Sequence, residues 1–177
     1  VSPNLGTVST ASTVETITGT TTSAVRTYSS TTAYSGLDGT GIGIAILDSG
    51  VMRNHSAFTG GGTTSRVARN VTMLNTTASN WAGNSAGISS LQPGSAALAA
   101  YEAAVANDTS PTQDMYGHGT HVASVAAGRY FVPKATNAQD INGLAPGASI
   151  YDVRVLNDSG FGTVSDALEG IQWVIFH

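Results

Sequence analysis

The sequence contains no cysteine, which excludes disulfide bonds, cysteine nucleophiles and thiolate metal sites. Charged side chains are also scarce: they make up 10% of the 177 residues, and the net charge is −4. A surface with so few charges and a negative balance is unsuited to nucleic-acid phosphates, so we expect no nucleic-acid partner. No apolar run approaches the length that crosses a bilayer, so we expect no membrane partner either.

Small uncharged residues replace the missing charges, namely Gly, Ser, Thr, Asn and Ala, a composition that is common in extracellular bacterial enzymes. We therefore expect a secreted protein. The chain begins at Val1 and shows no basic segment followed by an apolar one, so we expect any signal peptide to lie outside these residues. The hydrophobic content of 41% is enough for a packed core.

The chain divides into three kinds of segment. Residues 1–36 are rich in Ser and Thr with little periodicity, which predicts a peripheral N-terminal arm. Residues 37–177 carry the strong patterns of a folded domain. Within them, the polar and glycine-bearing stretch near 75–112 predicts a surface insertion between two core elements, with a helix in its Ala-rich middle.

Two apolar segments predict buried strands. Residues Ile42–Leu47 are almost uninterrupted apolar and β-branched side chains, which is typical of a strand inside a parallel sheet covered on both faces. Residues Ala148–Leu156 predict a second buried strand. Asp152 and Arg154 fall on one face of that strand, and we interpret them as a solvated pair.

Two further segments predict helices. Small side chains from His118 onwards suit a helix packed closely on a sheet, and Gly128 is its natural end. Thr163 is the predicted cap of a last helix. The apolar residues that follow one face of it are Val164, Leu168, Ile171 and Ile175. The order strand, helix, strand, helix indicates an α/β fold with a mostly parallel sheet flanked by helices.

The residues able to do chemistry lie where these elements begin and end. Asp48 follows the first strand, and ligands of open α/β sheets gather at the carboxyl ends of strands. His118, between Gly117 and Gly119, opens the first core helix. A carboxylate and an imidazole so placed are what a hydrolase needs to orient a general base. Each has a plainer alternative, Asp48 as a turn residue and His118 as a structural histidine.

Three segments, in this order, resemble the subtilisin-like serine peptidases: Ile44–Val51, Asp114–Ala123 and Asn142–Leu156. The resemblance covers about residues 37–74 and 113–177. It implies a subtilisin-like α/β domain that hydrolyses proteins or peptides as an endopeptidase with a Ser-His-Asp triad.

The resemblance also assigns roles to residues. It implies that Asp48 is the orienting acid, that His118 is the general base, and that His121 is a structural companion. The segment Gly160, Phe161 and Gly162 resembles the edge that pairs with extended substrate, although Phe161 could equally be a packing residue. Residues 1–4 resemble the end of an inhibitory propeptide. No cofactor is implied for catalysis, and we expect a monomer. Structural calcium is common in relatives, but no segment here has calcium-loop spacing.

Two departures from the family pattern matter. Asp48 and His118 are 70 positions apart (118 − 48), wider than usual for the family and consistent with the insertion near 75–112. No serine stands in a Gly-Thr-Ser-Met-Ala turn, and the specificity-pocket strand and the oxyanion asparagine are also missing. We therefore expect the first half of a peptidase domain, truncated before the nucleophile-bearing half and inactive alone.

Two other functions compete with this interpretation. One is a non-catalytic peptide-binding module that retains part of a peptidase fold. The other is a metal-dependent hydrolase, whose ligands would be Asp48, Asp114, His118 and His121, although the sequence lacks the His-Glu-x-x-His zinc motif.

Overall fold

A computed structural model describes residues 13–20, 22–27, 35–74, 96, 113–129 and 142–177. The strands are β1 (Arg26–Thr27), β2 (Ser35–Gly36), β3 (Gly43–Asp48), β4 (Val67–Thr72) and β5 (Ser149–Arg154). The helices are α1 (Thr13–Thr18), α2 (Ser56–Thr59), α3 (His118–Ala127) and α4 (Val164–Phe176). None of the helices in these ranges is long and apolar enough to cross a bilayer.

The described residues fall into two compact units. The first holds the described parts of Val1–Ile42, Asn54–Arg66 and Ser124–Ser149, and the second those of Gly43–Arg53, Val67–Ala123 and Ile150–His177. The residues that we predicted to do chemistry, Asp48, His118 and the segment 160–162, all belong to the second unit.

A buried ion pair organises the first unit. Arg26 on β1 contacts Glu15 on α1, and both side chains are fully excluded from solvent. The Arg26 guanidinium also donates to the carbonyl oxygens of Leu37 and Leu144, at 3.4 and 3.3 Å. A buried charge is tolerated only when it is paired and hydrogen-bonded in this way. The described part of the predicted N-terminal arm is thus built into this unit. The arm's boundary at residue 36 stays a prediction, and residues 1–4 lie outside the described ranges.

A three-stranded sheet in the order β3-β5-β4 forms the centre of the second unit. β4 and β5 run parallel, with Val67 opposite Ile150 and Thr72 opposite Arg154. Both predicted strands are therefore present, and β3 is shifted by one residue from its predicted bounds. The predicted insertion near 75–112 lies outside the described residues, apart from residue 96.

The interpretation of Asp152 as a solvated residue is wrong. Its side chain is 1% exposed, and its carboxylate accepts a hydrogen bond from Asn70 Nδ2 on β4 at 2.7 Å. Arg154 forms an ion pair with Asp158 in the loop after β5. Asp152 lies opposite Asn70 in the parallel register of β4 and β5, so the Asn70 amide supplies the hydrogen bond that a buried carboxylate needs.

The hydrophobic core of the second unit lies between the sheet and α4. It consists of Val71, Met73, Val153, Val155 and Trp173. Gly170 allows the close approach of α4, because a Cβ atom there would lie only 3.0 Å from the Cγ1 atoms of Val153 and Val155. Sheet and helix therefore pack with almost no space between backbone and side chains at this point.

Thr163 caps α4 as predicted, but the side of the helix that packs is not the one with most apolar residues. The Thr163 side chain accepts from the backbone of Asp166, and the Asp166 side chain accepts from the backbone of Thr163, which completes a capping box. The buried positions include Gly170 and Trp173. The residues of the predicted apolar face are exposed: Val164, Leu168, Ile171 and Ile175.

Replacing Trp173 by Ala is expected to lower the free energy of unfolding by about 3–5 kcal/mol, because it leaves a cavity in the core between α4 and the sheet. Urea unfolding followed by circular dichroism measures the effect. Gln172→Ala, at an exposed position on the same helix, is the control and should change stability little. Equal effects of the two substitutions would contradict the packing of α4 described above.

Candidate active site

Asp48 is held at the carboxyl end of β3 by its own backbone. Its carbonyl oxygen accepts hydrogen bonds from the backbone N–H groups of Val155 and Leu156, at 2.8 and 3.1 Å, just beyond the end of β5. Its side-chain Oδ1 accepts from the backbone N–H of Ser49 at 2.7 Å. The side chain is 13% exposed, so the carboxylate is mostly removed from water but held by hydrogen bonds.

His118 is the first residue of α3, and its ring meets that carboxylate. Its Nδ1 lies 2.9 Å from both Oδ1 and Oδ2 of Asp48. An ionised carboxylate can only accept, so the contact favours the tautomer in which Nδ1 carries the proton. Nε2 is then the basic nitrogen, and the side chain is 55% exposed, which leaves the ring open to other molecules.

The close approach of the two segments requires a glycine after the histidine. A Cβ atom on Gly119 would lie 2.2 Å from the carbonyl oxygen of Gly50 and 3.1 Å from the Cβ of Asp48. Any side chain at that position would therefore push the beginning of α3 away from the turn that follows β3. Gly117, before the histidine, has φ +84°, a conformation that favours glycine.

A second carboxylate, Asp114, lies beneath the beginning of α3. Its Oδ1 accepts from the backbone N–H of Gly117 and from the Ser49 hydroxyl, both at 2.8 Å. Its Oδ2 accepts from the backbone N–H of Thr120, also at 2.8 Å. The Ser49 oxygen in turn accepts from the backbone N–H of Gly119 at 3.0 Å. A negative charge at a helix N-terminus with this many donors is a stable arrangement.

The hydrogen bonds decide the ionisation of Asp114. Burial by itself raises the pKa of this carboxyl group, but hydrogen bonds from the Thr120 side chain and backbone, the Ser49 hydroxyl and the Gly117 backbone lower it. The net pKa lies below its ordinary value of 3.8. Asp114 is therefore negatively charged throughout the neutral range.

Tyr116 connects the predicted substrate segment to His118. The centroids of the Tyr116 and His118 rings are 6.3 Å apart. A Cβ atom on Gly160 would lie 2.7 Å from Cζ of Tyr116, and Gly160 has φ +79°. The loop after β5 thus lies against the ring of Tyr116, on the same side of the unit as the Asp48–His118 pair.

The residues of the predicted substrate segment differ in exposure, in backbone hydrogen bonding and in how closely they pack. The Phe161 side chain is 73% exposed, so packing in the described structure does not account for it. Its backbone, however, is engaged by Asn157: the Phe161 N–H donates to Asn157 Oδ1 at 3.1 Å, and its carbonyl oxygen accepts from the Asn157 N–H at 2.8 Å. Gly162 is packed so closely that a Cβ atom would lie 2.1 Å from the Val155 carbonyl oxygen.

The described residues do not gather the ligands of a metal site. Within the ranges that the structure describes, no group of three or more His, Asp or Glu side chains is placed to hold a metal ion. His121 is exposed on α3. The carboxylate of Asp114 is occupied by the hydrogen bonds to Ser49, Gly117 and Thr120.

Sequence reasoning missed the link between Ser49 and Asp114. The motif around Asp48 gives Ser49 no role of its own, and the patterns around Asp114 indicate only a family motif or an alternative metal ligand. The available signal was the Asp–x–x–Gly–His spacing of Asp114, Gly117 and His118, which places a carboxylate near the exposed N–H groups of a helix start.

Comparisons with known proteins identify the family to which the chain is similar. The model of the subtilase family matches residues 39–177. Subtilisin E of Bacillus subtilis (strain 168) is 41% identical over 71 residues, which are 40% of this chain and 17% of that protein. The minor extracellular protease Epr of the same strain is 40% identical over 67 residues, which are 38% of this chain and 10% of that protein. The matched part of the chain thus spans less than a fifth of either relative.

A solved structure shows the same fold. The CspB protease of Clostridium perfringens matches with a TM-score of 0.52 and 21% identity, over 79% of this chain and 26% of that one. At this identity the likeness concerns the fold alone. It confirms the predicted α/β architecture, a parallel sheet flanked by helices.

The depressed pKa of Asp114 predicts a pH-dependent contribution to stability. The ionised carboxylate stabilises the folded protein above pH 3.8, and this contribution is lost as the pH falls through the lower folded-state pKa. Asp114→Asn should therefore lower the urea midpoint of unfolding at neutral pH. The difference in urea midpoint between the variant and the wild type should become smaller in strong acid. An equal difference in urea midpoint at both pH values would contradict the ionised, hydrogen-bonded state of Asp114.

Proposed function

Because the chain belongs to the subtilase family, we propose that it supplies the acid and the base of a serine endopeptidase, Asp48 as the orienting acid and His118 as the general base. The observation that carries the proposal is the 2.9 Å contact between His118 Nδ1 and the Asp48 carboxylate. The two residues come from the end of a strand and the beginning of a helix, 70 positions apart, and their contact supports the proposal because the acid of a Ser-His-Asp triad is hydrogen-bonded to Nδ1 of the histidine.

The proposed chemistry follows from the two ring nitrogens. Nε2 accepts the proton of a serine hydroxyl as the oxygen attacks the peptide carbonyl carbon, and it later gives that proton to the leaving amine. The ring is positively charged between these steps. The N-terminus of α3 disfavours that charge, whereas the adjacent Asp48 carboxylate stabilises it and keeps the proton of Nδ1 in place. The 55% exposure of His118 leaves Nε2 accessible to both the serine and the substrate.

The serine itself is proposed to lie outside these 177 residues. No serine of the sequence stands in a Gly-Thr-Ser-Met-Ala turn. Ser49, the serine next to Asp48, is fully buried, and its hydroxyl is bonded to Asp114 and Gly119, so it cannot meet a substrate. Residues 1–177 alone are accordingly proposed to lack hydrolytic activity, since no acyl-enzyme forms without the nucleophile.

The substrates are proposed to be extended segments of proteins or peptides. The loop with Gly160, Phe161 and Gly162 lies against Tyr116 beside His118, which suits a peptide that runs past the base. Because Asn157 already engages the Phe161 backbone, the exposed Phe161 ring and the flanking glycines are the parts proposed to touch substrate. No cofactor is needed for this chemistry. We further propose that the protein is a monomer and that it is secreted; secretion is in keeping with the low charge content and with the name of the relative Epr, a minor extracellular protease.

Removing the acid or the base in the full-length protein tests the catalytic roles. Asp48→Asn should lower kcat by about 10⁴-fold, because the ring loses the partner that fixes its tautomer. His118→Ala should lower kcat at least as far. Hydrolysis of a chromogenic peptide by folded variants measures the effect.

His121→Ala is the matched control for these variants. This exposed histidine lies one turn further along α3, and its loss should leave kcat near the wild-type value. Wild-type turnover by a folded His118→Ala variant would refute the proposed function.

Labelling with a serine-directed phosphonate tests the proposed position of the nucleophile. The full-length protein should become labelled at one serine beyond residue 177, and a chain limited to residues 1–177 should remain unlabelled and should not cleave casein. Full-length His118→Ala should also lose the label, because its serine is no longer activated. A labelled serine within residues 1–177 would overturn this part of the proposal.

A further inference from the structure

We propose that Asp114 is a positioning residue for the Asp48–His118 pair: its buried carboxylate fixes the backbone on both sides of His118 to the turn that carries Asp48. The structural role is independent of the enzymatic assignment. Its consequence for turnover rests on the proposed function, and the experiments below separate the two.

The first link joins Asp114 to the backbone around His118. Gly117 donates its N–H to Oδ1 and Thr120 donates its N–H to Oδ2, each at 2.8 Å. These residues stand immediately before His118 and two positions after it. Because each carboxylate oxygen binds a different N–H, the first turn of α3 is fixed in rotation as well as in position.

The second link joins the same carboxylate to the turn after β3. The Ser49 hydroxyl donates to Asp114 Oδ1 at 2.8 Å and accepts from the Gly119 N–H at 3.0 Å. Ser49 directly follows Asp48 in the chain. One buried group therefore ties the residue after the acid to the residues on either side of the base.

Exposure of the imidazole is the reason why this backbone link matters. The His118 side chain is 55% exposed, so surrounding side chains cover only part of the ring, whereas Asp114 is 7% exposed and Ser49 is fully buried. The position of the ring relative to Asp48 is consequently set through the backbone that carries it. A change at Asp114 should alter the contact at Nδ1 without removing either member of the pair.

The direct test is Asp114→Asn in the full-length protein. An amide has one accepting oxygen and a donating NH₂ group, so it cannot accept from Gly117, Thr120 and Ser49 together. Nuclear magnetic resonance of protein labelled with ¹⁵N at histidine should show the hydrogen-bonded Nδ1 proton of His118 in the wild type. In the variant that resonance should be shifted or lost to exchange with water. His118→Ala assigns the signal.

Kinetics supply the second readout. The variant should lower kcat on the order of 10²-fold, the cost of a small misplacement of a catalytic group, and leave KM unchanged because no substrate contact is removed. Asp38→Asn is the matched control. The Asp38 carboxylate also accepts a hydrogen bond from a turn N–H, that of Thr40 at 2.8 Å, and its replacement should change neither the Nδ1 proton resonance nor kcat. Ser49→Ala, which removes the bridge to Gly119, should change both in the same direction as Asp114→Asn.

The outcomes separate the two proposals. An unchanged Nδ1 resonance in folded Asp114→Asn would overturn the positioning role, whatever the activity. If Asp114→Asn fails to fold, Ser49→Ala decides in the same way. Wild-type turnover by His118→Ala would refute the peptidase assignment, and the resonance of the Asp114 variant would still decide the positioning role.

Discussion

The geometry of this protein depends on one junction, where the carboxyl end of β3 meets the beginning of α3. The Asp48 carboxylate and the His118 ring touch there at 2.9 Å, although the backbone segments that carry them are far apart in sequence. Two features make the junction possible: glycine at position 119, where any Cβ would collide with Gly50, and the Asp114 carboxylate beneath the helix start. The sheet contributes by fixing the Asp48 backbone to the end of β5.

The fold of the second unit was largely predictable from local patterns. Apolar runs predict the two strands at 43–48 and 149–154, and small side chains followed by Gly128 predict α3. Asp48 and His118 could be selected because strand ends and helix starts meet at one edge of a parallel sheet. This rule makes two polar residues that are 70 positions apart in the sequence candidates for a single site.

The sequence does not predict which side chains of different strands and helices contact one another in the fold. The burial of Asp152 depends on Asn70, a residue on another strand that only the strand order brings opposite it. The pattern of α4 predicts the wrong packed face, because four apolar residues on one face outnumber the single Trp173 on the other. Gly170 allows the Trp173 face to pack more closely. Periodicity counts apolar residues, but packing depends on shape as well.

The residues on both sides of the stretch 75–112 are held by hydrogen bonds, and this has a consequence for changes in the length of that stretch. Gln113 Oε1 accepts from the Arg53 N–H at 2.8 Å, and the Gly50 backbone fits against the Gln113 carbonyl, immediately before Asp114. At the N-terminal flank of the stretch 75–112, the Met73 N–H donates a hydrogen bond to the Arg154 carbonyl oxygen at 2.9 Å. Because these hydrogen bonds fix both flanks, the contact between Asp48 and His118 does not depend on the number of residues from 75 to 112 in the way that it depends on the flanks themselves.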